Sequence, residues 1–249
     1  MTVNQKLKQG FALQKDDIKG RLLSRSLLWM GFGLAAIVII AFTSSAIPAF
    51  NNVMLKIADN TGFMIMTILN IVLMMAIFFT IRNPKTHILI PTFLYLIFAF
   101  YEGIYINLVL NFQGIMGDFS QILLVMLIPA GIFLLLGFIS FFNIFDFTKL
   151  APLATIGFLV LSIMSLVLFF MDGWTNNRWF LLLAAAIFVV WIGIDLQLIK
   201  NAEDNLQAFG MAQDIKELNR LAFMFGLRLF IDFVNLLWIV IRLMGNNNR

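Results

Sequence analysis

Seven long apolar runs, joined by short polar links, constrain this 249-residue chain more than any other feature. They fall at about 27–48, 62–82, 88–110, 119–143, 151–171, 179–199 and 221–244. A bilayer core about 30 Å thick is crossed by about 20 apolar residues in helical form, and every run meets that length. Backbone groups in lipid must be satisfied within their own segment, so the runs predict an all-α membrane protein, a bundle of seven transmembrane helices. The ten-residue alternation of a transmembrane β-barrel is absent. Composition points the same way: hydrophobic residues make up 61% of the chain and charged residues only 12%, too little charge to cover a soluble surface.

The sequence divides into a basic N-terminal tail, 1–26, read as cytoplasmic, and a transmembrane domain, 27–249. The first apolar run is too long for the core of a cleavable signal and reads as a retained span. With the N-terminus inside, the inner segments hold twelve Lys and Arg and the outer segments four, namely Lys56, Arg178, Arg242 and Arg249. That bias predicts an N-in, C-out topology. Trp174 and Trp179 flank the fifth and sixth spans as interfacial anchors would. The longest link, Lys200–Arg220, is charged and has room for a short amphipathic helix on the membrane surface. The expected location is an integral, multi-pass one, the plasma (inner) membrane if the source is prokaryotic. The chain has no cysteine, which excludes disulfides and thiolate metal sites, and its single histidine, His87, excludes a multi-histidine site. The net charge of +4 reads as a topology signal, with no nucleic-acid partner expected.

Ionisable side chains inside spans cost about 2.5–3.5 kcal/mol on insertion scales and are functional candidates by default. Four stand out: Glu102, Asp195, Arg228 and Asp232. Arg228, Asp232 and Asn235 share one face of the seventh span at i, i+4 and i+7. Asp195 lies about one turn from the inner end of the sixth span, so the two aspartates could face each other. Two carboxylates in a dry site tend to share one proton, which makes the pair a proton sensor. Deprotonated, the pair offers hard oxygens to a cation such as Ca²⁺. The plain alternative is that each aspartate only bonds a neighbouring helix. Tyr95, Glu102 and Tyr105 share a face of the third span, so Glu102 is expected to bond a tyrosine hydroxyl, and Gly103 to admit a close helix. Arg82 ends the second span, where an arginine ordinarily snorkels to the headgroups. Pro91 and Pro129 read as tolerated kinks.

These residues carry a resemblance. The block Gly193-Ile194-Asp195-Leu196-Gln197-Leu198-Ile199, then Leu229-Phe230-Ile231-Asp232-Phe233-Val234-Asn235-Leu236-Leu237, then Arg242-Leu243-Met244-Gly245, resembles the end of the Bax inhibitor-1 (transmembrane Bax inhibitor motif) family. Glu102-Gly103-Ile104 resembles its third-helix motif. The resemblance implies a bundle with the seventh helix central and a pH-sensitive calcium leak whose sensing aspartates map onto Asp195 and Asp232. These would also be the calcium ligands, with Gln197, Asn235 and Glu102 as supporting polar groups. An arginine at the end of the second helix can latch onto the aspartates in that family, and Arg82 is the nearest match. No enzyme activity and no cofactor is implied; the expected partners are the bilayer, calcium and protons, with protein partners open. Arg228 departs from the pattern, since a small or polar residue usually stands four positions before the second aspartate. It is expected to pair with Asp232, and to move gating to lower pH or reduce cation passage.

Two other functions compete with the leak. A non-catalytic membrane regulator would act through protein contacts of loops or tail. An intramembrane aspartyl protease would also use two aspartates on successive spans, but the residues before Asp232 are Leu-Phe-Ile and not the Gly-x-Gly of such enzymes. A retinal protein is disfavoured because the seventh span has no lysine.

Overall fold

In the computed structural model the described residues are 20–47, 60–83, 86–112, 115, 117–170, 178–208 and 215–245, and among them there is helix and no strand. The α-helices are α1 (Arg21–Ser45), α2 (Asn60–Arg82), α3 (Leu89–Phe112), α4 (Phe119–Phe141), α5 (Ala151–Phe170), α6 (Arg178–Ala208) and α7 (Ile215–Gly245), with a short 3₁₀ turn at Phe147–Leu150 before α5. Six of them are long and apolar enough to cross a bilayer, and α2 adds an apolar stretch at Ile68–Ile81. Large apolar side chains such as Phe79, Phe93, Leu134 and Leu153 lie open on the outside of the bundle, as a lipid-facing surface requires.

The helices begin and end close to the apolar runs, with two departures. Residues 21–26, expected in the tail, already belong to α1. More consequentially, α6 continues to Ala208 and α7 begins at Ile215, so the expected long link from 200 to 220 is mostly helix. The charged residues there find partners at the ends of other helices. Lys200 donates to the carbonyl of Phe141 at 2.8 Å, at the C-terminus of α4. The Glu203 carboxylate accepts from the backbone amides of Gly20, Arg21 and Leu22, at the N-terminus of α1. Arg220 donates to the carbonyls of Ile81, at 2.7 Å, and Asn83, at the C-terminus of α2. Each sign matches the helix end it meets, acid at an N-terminus and base at a C-terminus. Gln197 accepts the Phe147 amide at 2.6 Å and ties the 3₁₀ turn to α6.

α7 sits innermost. It packs on α1, α6 and α4 and touches α3, while α2 joins through α3 and α5 through α6. Of the span-length helices it has the largest buried share, 67% of its apolar window. Close approach depends on missing side chains. A Cβ on Gly226 would lie 2.6 Å from the Ser26 carbonyl oxygen of α1, and one on Gly103 would lie 2.8 Å from the Ile40 Cβ. Gly103 thus admits α1 as expected. Gly33 makes room for Tyr95, whose hydroxyl donates to the Trp29 carbonyl at 2.9 Å. Around it Tyr95, Phe223 and Phe230 meet edge to face, at 5.6 and 5.1 Å. Pro129 lies inside α4 and Pro91 in the first turn of α3. Outside the spans, Asp118 caps α4 and Asp146 caps the 3₁₀ turn. Hydrogen bonds from the Ser120 and Thr148 side chains hold these two carboxyls below the usual range.

Candidate functional site

α6 and α7 run antiparallel and adjacent, and this pairing sets the register of the buried charges. Arg220 lies at the charged end of the bundle. Arg228 is about 12 Å further along α7 and Asp232 about 18 Å, near mid-span. Asp195 comes from the corresponding depth of α6, about one turn inside Lys200. The carboxyl groups of Asp195 and Asp232 lie within hydrogen-bonding range of each other.

Arg228 completes the cluster in a way its own helix does not reveal. Its guanidinium forks across to α6, with Nε 3.0 Å from Oδ2 of Asp195 and a terminal nitrogen 2.5 Å from Oδ1. The expected pairing within α7, onto Asp232, is therefore corrected: the ion pair is formed between helices. The planar fork suits a carboxylate held edge-on, and Asp232 remains close enough to feel the arginine's charge. The Asp195 side chain is 5% exposed and that of Arg228 32%, so the cation reaches inward from a wetter position. Oδ2 of Asp232 is buried and lacks a hydrogen-bond partner among the described residues. The indole nitrogen of Trp191, one turn from Asp195 on α6, lacks one too. Buried polar atoms left open in this way mark a place where a proton, water or ion can be accommodated.

Glu102 belongs to a different site. It is 1% exposed, and its donors are the Asn70 amide from α2 and the Trp238 indole from α7, the latter at 3.4 Å. The expected tyrosine partner is thereby corrected: Tyr95 bonds Trp29, Tyr101 bonds the Met66 carbonyl, and Tyr105 packs against Trp238 in a tilted ring contact at 4.6 Å. Glu102, Asn70, Asn235, Trp238 and Arg242 line a cavity of about 420 Å³. Arg242, counted among outer-segment charges, is in fact within α7 and turned to this cavity. Asn235, on the Asp232 face, belongs to the cavity and not to the acid pair. Gln197 serves the 3₁₀ turn, and the side chain of Arg82 lies outside the described residues, as do Trp174 and most of the tail. Asn70 and Trp238 were missed from sequence; the signal available was an amide in the middle of the second apolar run.

The family described as "Inhibitor of apoptosis-promoting Bax1" matches residues 20–249, which includes every helix above. No curated protein matches the chain significantly.

Proposed function

The chain belongs to the Bax inhibitor-1 family and is an integral, multi-pass membrane protein, and from that premise we propose that it is a pH-gated calcium (cation) leak. In this reading seven spans run N-in to C-out, and the Asp195–Asp232 pair is both gate and cation ligand. The observation that carries the proposal is the buried contact of the two carboxyl groups with Arg228 forked onto one of them. The charges decide how such a cluster works. With Asp195 ionised and paired to Arg228, the cluster is neutral only if Asp232 keeps its proton. That proton bonds the two carboxyls and holds α6 against α7. Loss of it leaves a net negative charge and two mutually repelling carboxylates in a low-dielectric setting, which favours an arrangement with the helices apart and a cation between them.

The sign follows: flux is low when Asp232 is protonated and rises with pH. Arg228 competes with calcium for Asp195, so it acts as a tethered counter-ion that must yield before a divalent ion binds. Calcium flux into liposomes reconstituted with the full chain tests this. Asp232→Asn fixes the neutral state and is expected to give low, pH-independent flux. Arg228→Ser is expected to raise flux and move its onset along the pH axis. Flux that keeps the parent's pH profile in both Asp195→Asn and Asp232→Asn would remove the reading.

A further inference from the structure

A second cavity, about 640 Å³, opens between α1 and α4 and is unrelated to the Glu102 site. Its walls are apolar, including Met30, Leu34, Phe133 and Phe138, and its floor is Leu196 and Phe233. Its volume lies in the range of about 300–1,000 Å³ typical of sites that enclose a small molecule. One end is not apolar: Ser140, Lys200, Glu203 and Asp204 line it at the charged end of the bundle. Two of these point to a ligand. Ser140 and Glu203 are 3% and 7% exposed, yet Oγ of Ser140 and Oε1 of Glu203 have no hydrogen-bond partner among the described residues. A serine in a helix ordinarily bonds a carbonyl of the preceding turn, as Ser26, Thr80 and Ser162 do here. Ser140 does not. Orphaned buried oxygens at the rim of an apolar slot call for a partner with polar groups at one end.

We infer that this groove binds a zwitterionic phospholipid with a primary-amine headgroup. One acyl chain fills the slot. The ammonium meets Glu203 Oε1 and Asp204, while the phosphate meets Lys200, which among the described residues gives one of its three N–H groups to Phe141. The Ser140 hydroxyl, just below the headgroup level, donates to an ester carbonyl. Acid and base side by side match a zwitterion better than an anionic headgroup, which Glu203 and Asp204 would repel. The groove floor adjoins both sensing aspartates in sequence, but the inference stands whether or not the acid pair conducts ions.

Two glycines make the test safe for folding. Among the described residues, a Cβ on Gly31 or Gly137, on the two walls of the groove, would meet nothing within 4 Å, and the same holds for Gly131, which is exposed on α4 outside the groove. The full chain is purified in mild detergent, exposed to equimolar phosphatidylethanolamine, phosphatidylcholine and phosphatidylglycerol, and weighed intact by native mass spectrometry. The parent and Gly131→Leu are expected to retain phosphatidylethanolamine in preference to the other two. Gly137→Leu, or Gly31→Leu from the facing wall, is expected to lower that retention about tenfold or more. Ser140→Ala is expected to lower it by a smaller factor. Equal retention in the parent and both groove-filling variants overturns the proposal, as does retention indifferent to headgroup. Residues 1–19 lead into Gly20 at the groove mouth. If lipid is retained only after those residues are deleted, the groove belongs to the tail and the proposal fails.

Discussion

The two acidic sites along α7 are built from similar residue types to opposite effect. At mid-span, Asp195 and Asp232 face each other, one held by the Arg228 fork and the other with an oxygen left open. Further along α7, Glu102 has neutral donors on both oxygens, from Asn70 and Trp238, at the edge of a mainly apolar cavity. A carboxyl satisfied by neutral amide and indole groups is a strut, since its bonds do not depend on a second charge. In the function proposed above, a carboxyl pair counterbalanced by an arginine acts as a switch, because one proton decides its net charge. The lesson is that the partner, more than the acid, determines what a buried carboxyl does in a membrane.

The largest effect expected is at the switch. Arg228→Met strips Asp195 of its cation, and breaking a buried pair on one side costs about 3 kcal/mol. Adding Asp195→Asn should recover part of that loss, so a double-mutant cycle by denaturant unfolding in detergent gives a coupling of about 1–3 kcal/mol. Additive losses would mean that the fork contributes nothing. Next, Gly226→Val tests whether the switch relies on a rigid α7. Its Cβ would press on the α1 backbone, and the expected cost is about 2 kcal/mol, read from the same unfolding curves. A smaller effect is expected at the strut. Glu102→Gln keeps the shape, sacrifices at most one good hydrogen bond, and should cost about 1 kcal/mol while leaving the flux–pH profile in place. A shifted profile would erase the distinction between the two sites. The smallest effect lies outside both, at the helix caps. The depressed Asp118 and Asp146 carboxyls stabilise the folded chain above their ordinary value, a gain lost as pH falls through the lowered one. Asp118→Ala should therefore melt slightly below the parent at neutral pH and level with it in strong acid.

Hydropathy made the bundle and most helix bounds readable from sequence, because lipid imposes a length and an apolar composition on each span. It failed where charged residues continue a helix past the membrane. Lys200, Glu203 and Arg220 look like a loop in a hydropathy reading, yet they reach the termini of α4, α1 and α2. The aspartates could be singled out because ionisable groups within spans are rare. Their partner could not be: a single sequence shows which residues share a helix face, and so suggests Arg228 with Asp232, but the register between α6 and α7 is what brings Arg228 to Asp195. The same limit hid Asn70 and Trp238 from Glu102. Arg242 was misjudged for the opposite reason, since its position near a helix end resembles a surface charge although the cavity takes it inward.

The central claim is that one proton, carried by Asp232, sets the state of the Asp195–Asp232–Arg228 cluster. Infrared titration of the reconstituted protein addresses it directly, by following the carbonyl band of protonated carboxyl groups alongside calcium flux. The account predicts a band that vanishes over the pH range in which flux rises, is missing from Asp232→Asn, and persists in Glu102→Gln. A band unchanged by Asp232→Asn, or flux that rises with no loss of a protonated carboxyl, would contradict it.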